Sequence, residues 1–178
     1  MSSEWTREKL EEYCKGRRIN QICVCTDREV EDILDEWIEK LHIGPWKIIE
    51  MSNESLTNFG WGEDEITDPF KYYCCLAQCG NMEFEIIKNV YGPFMGDAFL
   101  KAKGEGLQHI KEVFSDEDFP KAVEYYESVG FKKTFYGQVG DNKFCTFDSD
   151  SSIGFTIEVG NDLAPDMSKV KMRIYPEK

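Results

Sequence analysis

The sequence predicts an α+β fold in which two βαβββ modules form one cupped, mixed sheet around a shared central cleft, with the helices outside. Two observations predict it. The first is a repeat in which residues 19–44 are echoed by residues 107–130. In the first copy, Ile19-Asn20-Gln21-Ile22 leads to Thr26-Asp27-Arg28-Glu29, an amphipathic helix and Gly44. In the second, Leu107-Gln108-His109-Ile110 leads to Ser115-Asp116-Glu117-Asp118, another amphipathic helix and Gly130. The second observation is that each copy runs on into strand-like segments, and the last of these carries a glutamate opposite its apolar residues. A duplicated unit of this kind builds one site from two half-sites, here Gln21, Glu85, His109 and Glu158.

Each element follows from its local pattern. Residues 5–15 (Trp5 to Lys15) are charged and helical, a lead-in that occupies 1–17 and ends near Gly16. Arg18–Cys25 reads as a strand. Thr26 and Glu29 have capping-box spacing, so a helix starts there, with Val30, Ile33, Leu34, Trp37, Ile38 and Leu41 on one face. Gly44-Pro45 ends it, and Trp46–Met51 is strand-like. The acid-rich insert 52–69, with Phe59 and Trp61, is long for a connection, which makes it a candidate lid or dimer contact. Phe70–Cys79 and Met82–Asn89 form a hairpin around Gly80-Asn81, and a short helix over Asp97–Lys103 closes the first module, 18–104.

The second module, 105–164, opens after Gly104-Glu105-Gly106. Its helix starts at Ser115, presents Phe119, Ala122, Val123 and Tyr126 on one face, and stops at Gly130. Lys132–Gln138, Phe144–Asp148 and Ile153–Val159 are strand candidates. The tail, 165–178, adds a strand at Val170–Tyr175.

Composition excludes several function classes. With 178 residues and 13% aromatic content the chain can bury a substantial core. A net charge of −13 argues against nucleic acid, which needs clustered Lys and Arg on its phosphates. It argues more weakly against polyanionic ligands, which a local patch such as Arg17-Arg18 or Lys132-Lys133 could still serve. No apolar run reaches membrane-spanning length, and the polar N-terminus lacks the apolar core of a signal peptide. Seven cysteines, an odd number without a CxxC pair, fit reduced core thiols in a cytoplasmic protein.

Strand alternation aims the polar residues. In Ile153–Val159 the apolar set Ile153, Phe155, Ile157 and Val159 takes one face, leaving Glu158 on the other. In Met82–Ile87, Met82, Phe84 and Ile86 leave Glu83 and Glu85 opposite. His109 sits where Gln21 stands in the first copy. Gln21 and Glu85 are 64 positions apart and His109 and Glu158 are 49 apart, a difference close to the length of the insert. One amide, one imidazole and two carboxylates suit a divalent ion (Mn²⁺, Co²⁺, Ni²⁺, Mg²⁺ or Zn²⁺), and the oxygen-rich set favours Mn²⁺ or Co²⁺ over zinc.

These segments resemble the vicinal oxygen chelate superfamily, which includes glyoxalase I, methylmalonyl-CoA epimerase, extradiol dioxygenases and bleomycin-resistance proteins. The resemblance spans about residues 18–160 and rests on Ile19-Asn20-Gln21-Ile22, Gly44-Pro45-Trp46, Met82-Glu83-Phe84-Glu85-Ile86-Ile87, Gly106-Leu107-Gln108-His109-Ile110 and Gly154-Phe155-Thr156-Ile157-Glu158-Val159. Epimerase-like members are the nearest in pattern. The resemblance implies metal ligands at Gln21, Glu85, His109 and Glu158, although epimerases carry histidine where this chain has Gln21, which lowers the expected metal affinity. It also implies a homodimer and a small-molecule substrate. The implied activity is that of a metal-dependent isomerase, epimerase or lyase, acting on a small carbonyl compound through an enediolate-like intermediate. Glu85 or Glu158 would be the catalytic base, with Glu50, Tyr73, Gln78 and Tyr91 around the substrate. The alternative is a metal-free protein of the bleomycin-resistance type, holding a cationic drug between walls such as Phe59, Trp61, Tyr72 and Tyr73. A ring-cleaving dioxygenase fits least, since it needs two histidines on its iron.

Overall fold

The structure is a computed structural model that describes residues 6–177. In chain order its elements are α1 (Arg7–Lys15), β1 (Ile19–Cys25), α2 (Val30–Leu41), β2 (Trp46–Ser52), β3 (Thr57–Trp61), β4 (Asp64–Glu65), β5 (Lys71–Cys79), β6 (Met82–Tyr91), α3 (Asp97–Lys103), β7 (Gly106–Phe114), α4 (Phe119–Ser128), β8 (Lys133–Val139), β9 (Asn142–Phe147), α5 (Asp150–Ile153), β10 (Thr156–Asn161) and β11 (Lys171–Tyr175). All strands join one curled sheet in the order β11-β2-β5-β6-β1-β7-β10-β9-β8-β3-β4. This is the cupped mixed sheet expected, with α2 and α4 on its outer face, while α3 packs Phe99 and Leu100 against the inner one.

The order is symmetric about the antiparallel pair β1–β7. On either side β6 and β10 run parallel to their neighbours, followed by β5 and β9, then β2 and β8. Two strands complete the ends. β11, from the tail, pairs with β2, and β3, from the insert, pairs with β8.

Burial assigns the two faces. On the outer face α2 lays Val30, Ile33 and Leu34 against Trp46, Ile48, Cys75, Ala77 and Ile86. α4 packs Tyr126, Phe119 and Val123 against Cys145, Phe147, Ile157 and Val159. The inner face is lined by Cys23, Cys25, Ile49, Met51, Phe70, Tyr72, Phe135, Val139 and Phe144, with Leu56 and Ile66 from the insert. The central strands thus have two apolar faces, and a polar residue on the inner one is buried by construction. Among the described residues no helix is long and apolar enough to cross a membrane.

Four local expectations need correction. The insert is not a loose connection: it forms β3 and β4, with the Trp61 ring tilted against Phe135 and Phe59 edge-on to Phe70. Thr26 does not cap α2. Its buried hydroxyl bonds Glu105 and accepts from the Arg28 N–H, and Glu29 takes the cap position without a side-chain bond. The helix ends at His42 in the left-handed region (φ 58°), two residues before Gly44. Ile153 is not in a strand, because Ser149 Oγ bonds the Phe155 carbonyl and the Ile157 N–H, holding 150–153 as a turn of helix that leaves Ile153 exposed. Trp5 lies outside the described residues.

All seven cysteines are free, and only Cys14 and Cys79 are exposed. Burial pushes Cys25, Cys75 and Cys145 to about 12, and Cys23 and Cys74 well above the ordinary thiol value. Since the thiolate is the reactive form, two thiols are expected to label promptly at pH 8 in the folded protein and the other five only on unfolding. Prompt labelling of four or more would show that the inner face opens.

Candidate active site in the cup

Strand register brings the two half-sites together. Across β1–β7, Gln21 pairs with Lys111 and Cys23 with His109. Along β6, Gln21 lies beside Glu83 and Cys23 beside Glu85. Along β10, His109 lies beside Thr156 and Lys111 beside Glu158. The repeat is therefore kept residue by residue, with Gln21 matched to His109, Glu85 to Glu158, and Cys23 to Lys111.

The four expected ligand residues are all buried: Gln21 4% exposed, Glu85 7%, His109 0% and Glu158 5%. His109 Nε2 lies 3.0 Å from Glu85 Oε2 and 3.3 Å from Glu158 Oε2, yet no hydrogen bond is directed to it. Its other nitrogen, Nδ1, lies 2.5 Å from Gln108 Oε1. A carboxamide oxygen only accepts, so Nδ1 carries a proton, and Nε2 is left facing the two carboxylates. Lone pair and carboxylates repel unless a cation or a proton lies among them. Gln21 is set in a similar way. Its Nε2 donates to Glu83 Oε1 at 2.7 Å, and its Oε1 is buried with no hydrogen-bond partner. Buried polar atoms are seldom left so.

The charges respond to one another. Burial opposes ionisation of Glu85, but contact with His109 and the Cys74 thiol, which donates to Oε1 at 2.9 Å, overcomes it and holds the carboxyl low. Burial likewise opposes protonation of His109, and the charges of Glu158 and Glu85 outweigh it, leaving the imidazole above its ordinary value. Glu83 moves the other way: burial, reinforced by the nearby Glu85 charge, raises it against the Gln21 hydrogen bond.

Gln21, Glu83, Glu85 and Glu158 form the floor of a cavity of about 420 Å³, walled by Ile49, Met51, Tyr72, Leu76, Val139 and Phe144, with the fully buried His109 behind the two ligand carboxylates. A larger groove of about 700 Å³ lies between α1 and α4 and contains none of them. Glu50, Tyr73, Gln78 and Tyr91 also lie outside the cup. Glu50 and Tyr73 are partners across β2–β5 on the outer face, one position out of phase with the inward Ile49 and Cys74. Glu50 pairs with Lys71, and its neighbouring cavity also contains Tyr91. Gln78 folds back onto the hairpin at Gly80 and Met82. Of Phe59, Trp61, Tyr72 and Tyr73, only Tyr72 lines the cup.

Sequence reasoning did not assign Cys23, Gln108 or Lys111. Cys23, Glu85 and His109 offer ligand atoms within 4.8 Å of one another, but burial keeps the Cys23 thiol protonated. Lys111 stands two residues after His109 on the same strand face, which was the available signal. Burial opposes its charge, and Glu158 overcomes this, raising it to about 12.

Neither a protein-family model nor a curated protein sequence matches the chain. Solved structures do. A hypothetical protein from Bacillus halodurans C-125 superposes with a TM-score of 0.59 at 11% identity, over 85% of this chain and 98% of that one. Methylmalonyl-CoA epimerase from Mycobacterium tuberculosis gives 0.57 at 10% identity, over 82% and 88%. The Streptomyces coelicolor epimerase in complex with 2-nitronate-propionyl-CoA gives 0.56 at 12%, over 83% and 98%. The chain shares its fold with these structures. Glu85 and Glu158 flank the His109 ring at the base of the cup, and the orphaned Gln21 amide oxygen belongs to a residue lining the same cavity, a donor set whose chemistry fits a divalent cation.

Proposed function

We propose that the chain is a metal-dependent isomerase or epimerase that moves a proton on the carbon next to a carbonyl group. The observation that carries this is His109 Nε2, which faces Glu85 and Glu158 at 3.0 and 3.3 Å without a hydrogen bond while Gln108 holds Nδ1. Gln21, Glu85, His109 and Glu158 would hold the ion. A divalent ion supplies Lewis-acid polarisation of a carbonyl oxygen. Gln108 fixes the tautomer that presents a lone pair, and Glu83 fixes Gln21 with its oxygen free, the supporting roles that ligands require.

Proton transfer falls to Glu158. Glu85, held low by His109 and the Cys74 thiol, is a poor proton acceptor. The apolar walls exclude water from the carbon that loses its proton, and Tyr72 closes one side. That two of the three similar folds carry the printed name of an epimerase, one of them in complex with an acyl-CoA analogue, is consistent with this reading. The drug-binding reading is weaker, since three of its four aromatic residues lie elsewhere. The dioxygenase reading fails on ligands, because His42, the second histidine, is exposed at the end of α2.

Chelation followed by Mn²⁺ or Co²⁺ is expected to lower and then restore the melting temperature. The restored protein is expected to exchange deuterium from solvent into α-hydroxy ketones or acyl-CoA thioesters, read by NMR. A melting curve indifferent to chelator and metal, with no exchange in either panel, would remove the proposal.

A further inference from the structure

The metal-ligand set has no use for Lys111. It is the β7 counterpart of Cys23, so the repeat places a small thiol on one side of the centre and a long cation on the other. Its Nζ lies 2.9 Å from Glu158 Oε1, and its side chain is 16% exposed. Glu158 is thereby shared, one oxygen turned to Lys111 and the other to His109. The fold makes room for this arrangement. Gly160, on β10, lies under the lysine stem, and a Cβ there would overlap Lys111 Cε and approach Nζ to 3.2 Å.

We propose that Lys111 is an internal cation that competes with a divalent ion for Glu158, so that ion affinity at this centre is set by one lysine side chain. The inference rests on the metal reading above. Its physical basis is twofold. A fixed positive charge beside the ion's position repels it, and the effect is strong at low effective dielectric. A carboxylate oxygen engaged by an ammonium is also not free to ligate. Three carboxylates line the cup, Glu83, Glu85 and Glu158, and among the described residues Lys111 is the lysine that lines it with them, so an ion still gains by binding there. The competition weakens that gain without abolishing it.

The test is Mn²⁺ titration of the full-length chain, with free Mn²⁺ read by EPR, for the wild type, Lys111→Met, Lys111→Gln and Lys111→Arg. The Met and Gln variants are expected to bind at least roughly tenfold more tightly, and the Arg variant to stay near wild type. In thermal melts the metal-free Met variant is expected to unfold earlier than wild type and to gain more from Mn²⁺. The Gln variant, which keeps a hydrogen-bond donor for Glu158, serves if the Met variant does not fold. Equal and measurable Mn²⁺ affinity in all four would overturn the competition and leave the metal site standing. Weaker binding in the Met and Gln variants would also overturn it, making Lys111 a support for Glu158. No binding by any of the four would overturn the competition and the metal reading together, because removing a competitor should unmask the site.

Discussion

Glu158→Gln is expected to lower proton exchange by about 10²–10⁴-fold, the range for loss of a positioned general base, while the protein still folds. The amide keeps the shape of the carboxylate and can still accept from Lys111, whose Nζ sits 2.9 Å from Glu158 Oε1. What it loses is the charge that accepts a proton and that, with Glu85, flanks His109. Deuterium exchange with the Mn²⁺-loaded variant checks the expectation, with circular dichroism to confirm the fold. Exchange at the wild-type rate would take Glu158 out of the mechanism and pass the base to Glu85. The matching Glu85→Gln variant separates the two carboxylates: if Glu85 serves to bind the ion, its loss is seen first in Mn²⁺ affinity.

The second large effect lies on the outer face. Arg17→Met is expected to cost about 3 kcal/mol, since removing one partner strands a buried charge. Arg17 grips Glu112 through both carboxylate oxygens, at 2.7 and 2.5 Å, and Tyr126 donates to the same group at 2.9 Å. Glu112 lies under α4 with its side chain 6% exposed, whereas that of Arg17 is 35% exposed, which keeps the figure at the lower end of the range for buried pairs. A chain of this length should then melt roughly 6–12 °C lower. The double variant Arg17→Met with Glu112→Leu should recover much of the loss, because an apolar replacement leaves no charge stranded. A shift below about 1 °C in the single variant would mean that Glu112 is solvated through α1.

The half-sites were legible because register is arithmetic. Once Gln21 and His109 are matched, the strand period places Glu85 and Glu158 opposite them, and the structure keeps that correspondence through three strand pairings. The expected substrate residues failed on the same arithmetic. Glu50 and Tyr73 are one position out of phase with Ile49 and Cys74, and both faces of these central strands are apolar enough to hide which is inward. The strands of the insert were hidden for another reason. Thr57 finds its partner at Gln138 and Trp61 at Phe135, far along the chain, and the residues between are acidic and glycine-rich as a loop would be. Lys111 escaped notice because a strand lysine ordinarily extends to solvent. Only the gap at Gly160 and the carboxylate of Glu158 keep it in.

The insert also limits what a duplicated architecture can do. Two matched halves meeting at one antiparallel pair could, in principle, part and re-pair with the halves of another chain, a low-cost route to exchanged dimers. Here Thr57–Trp61 belongs to the first half by sequence and to the second by hydrogen bonding. A half that left would either drag this strand from β8 or bare a row of unpaired amides. The insert is thus a stitch across the seam: parting the halves breaks the β3–β8 pairing as well as β1–β7.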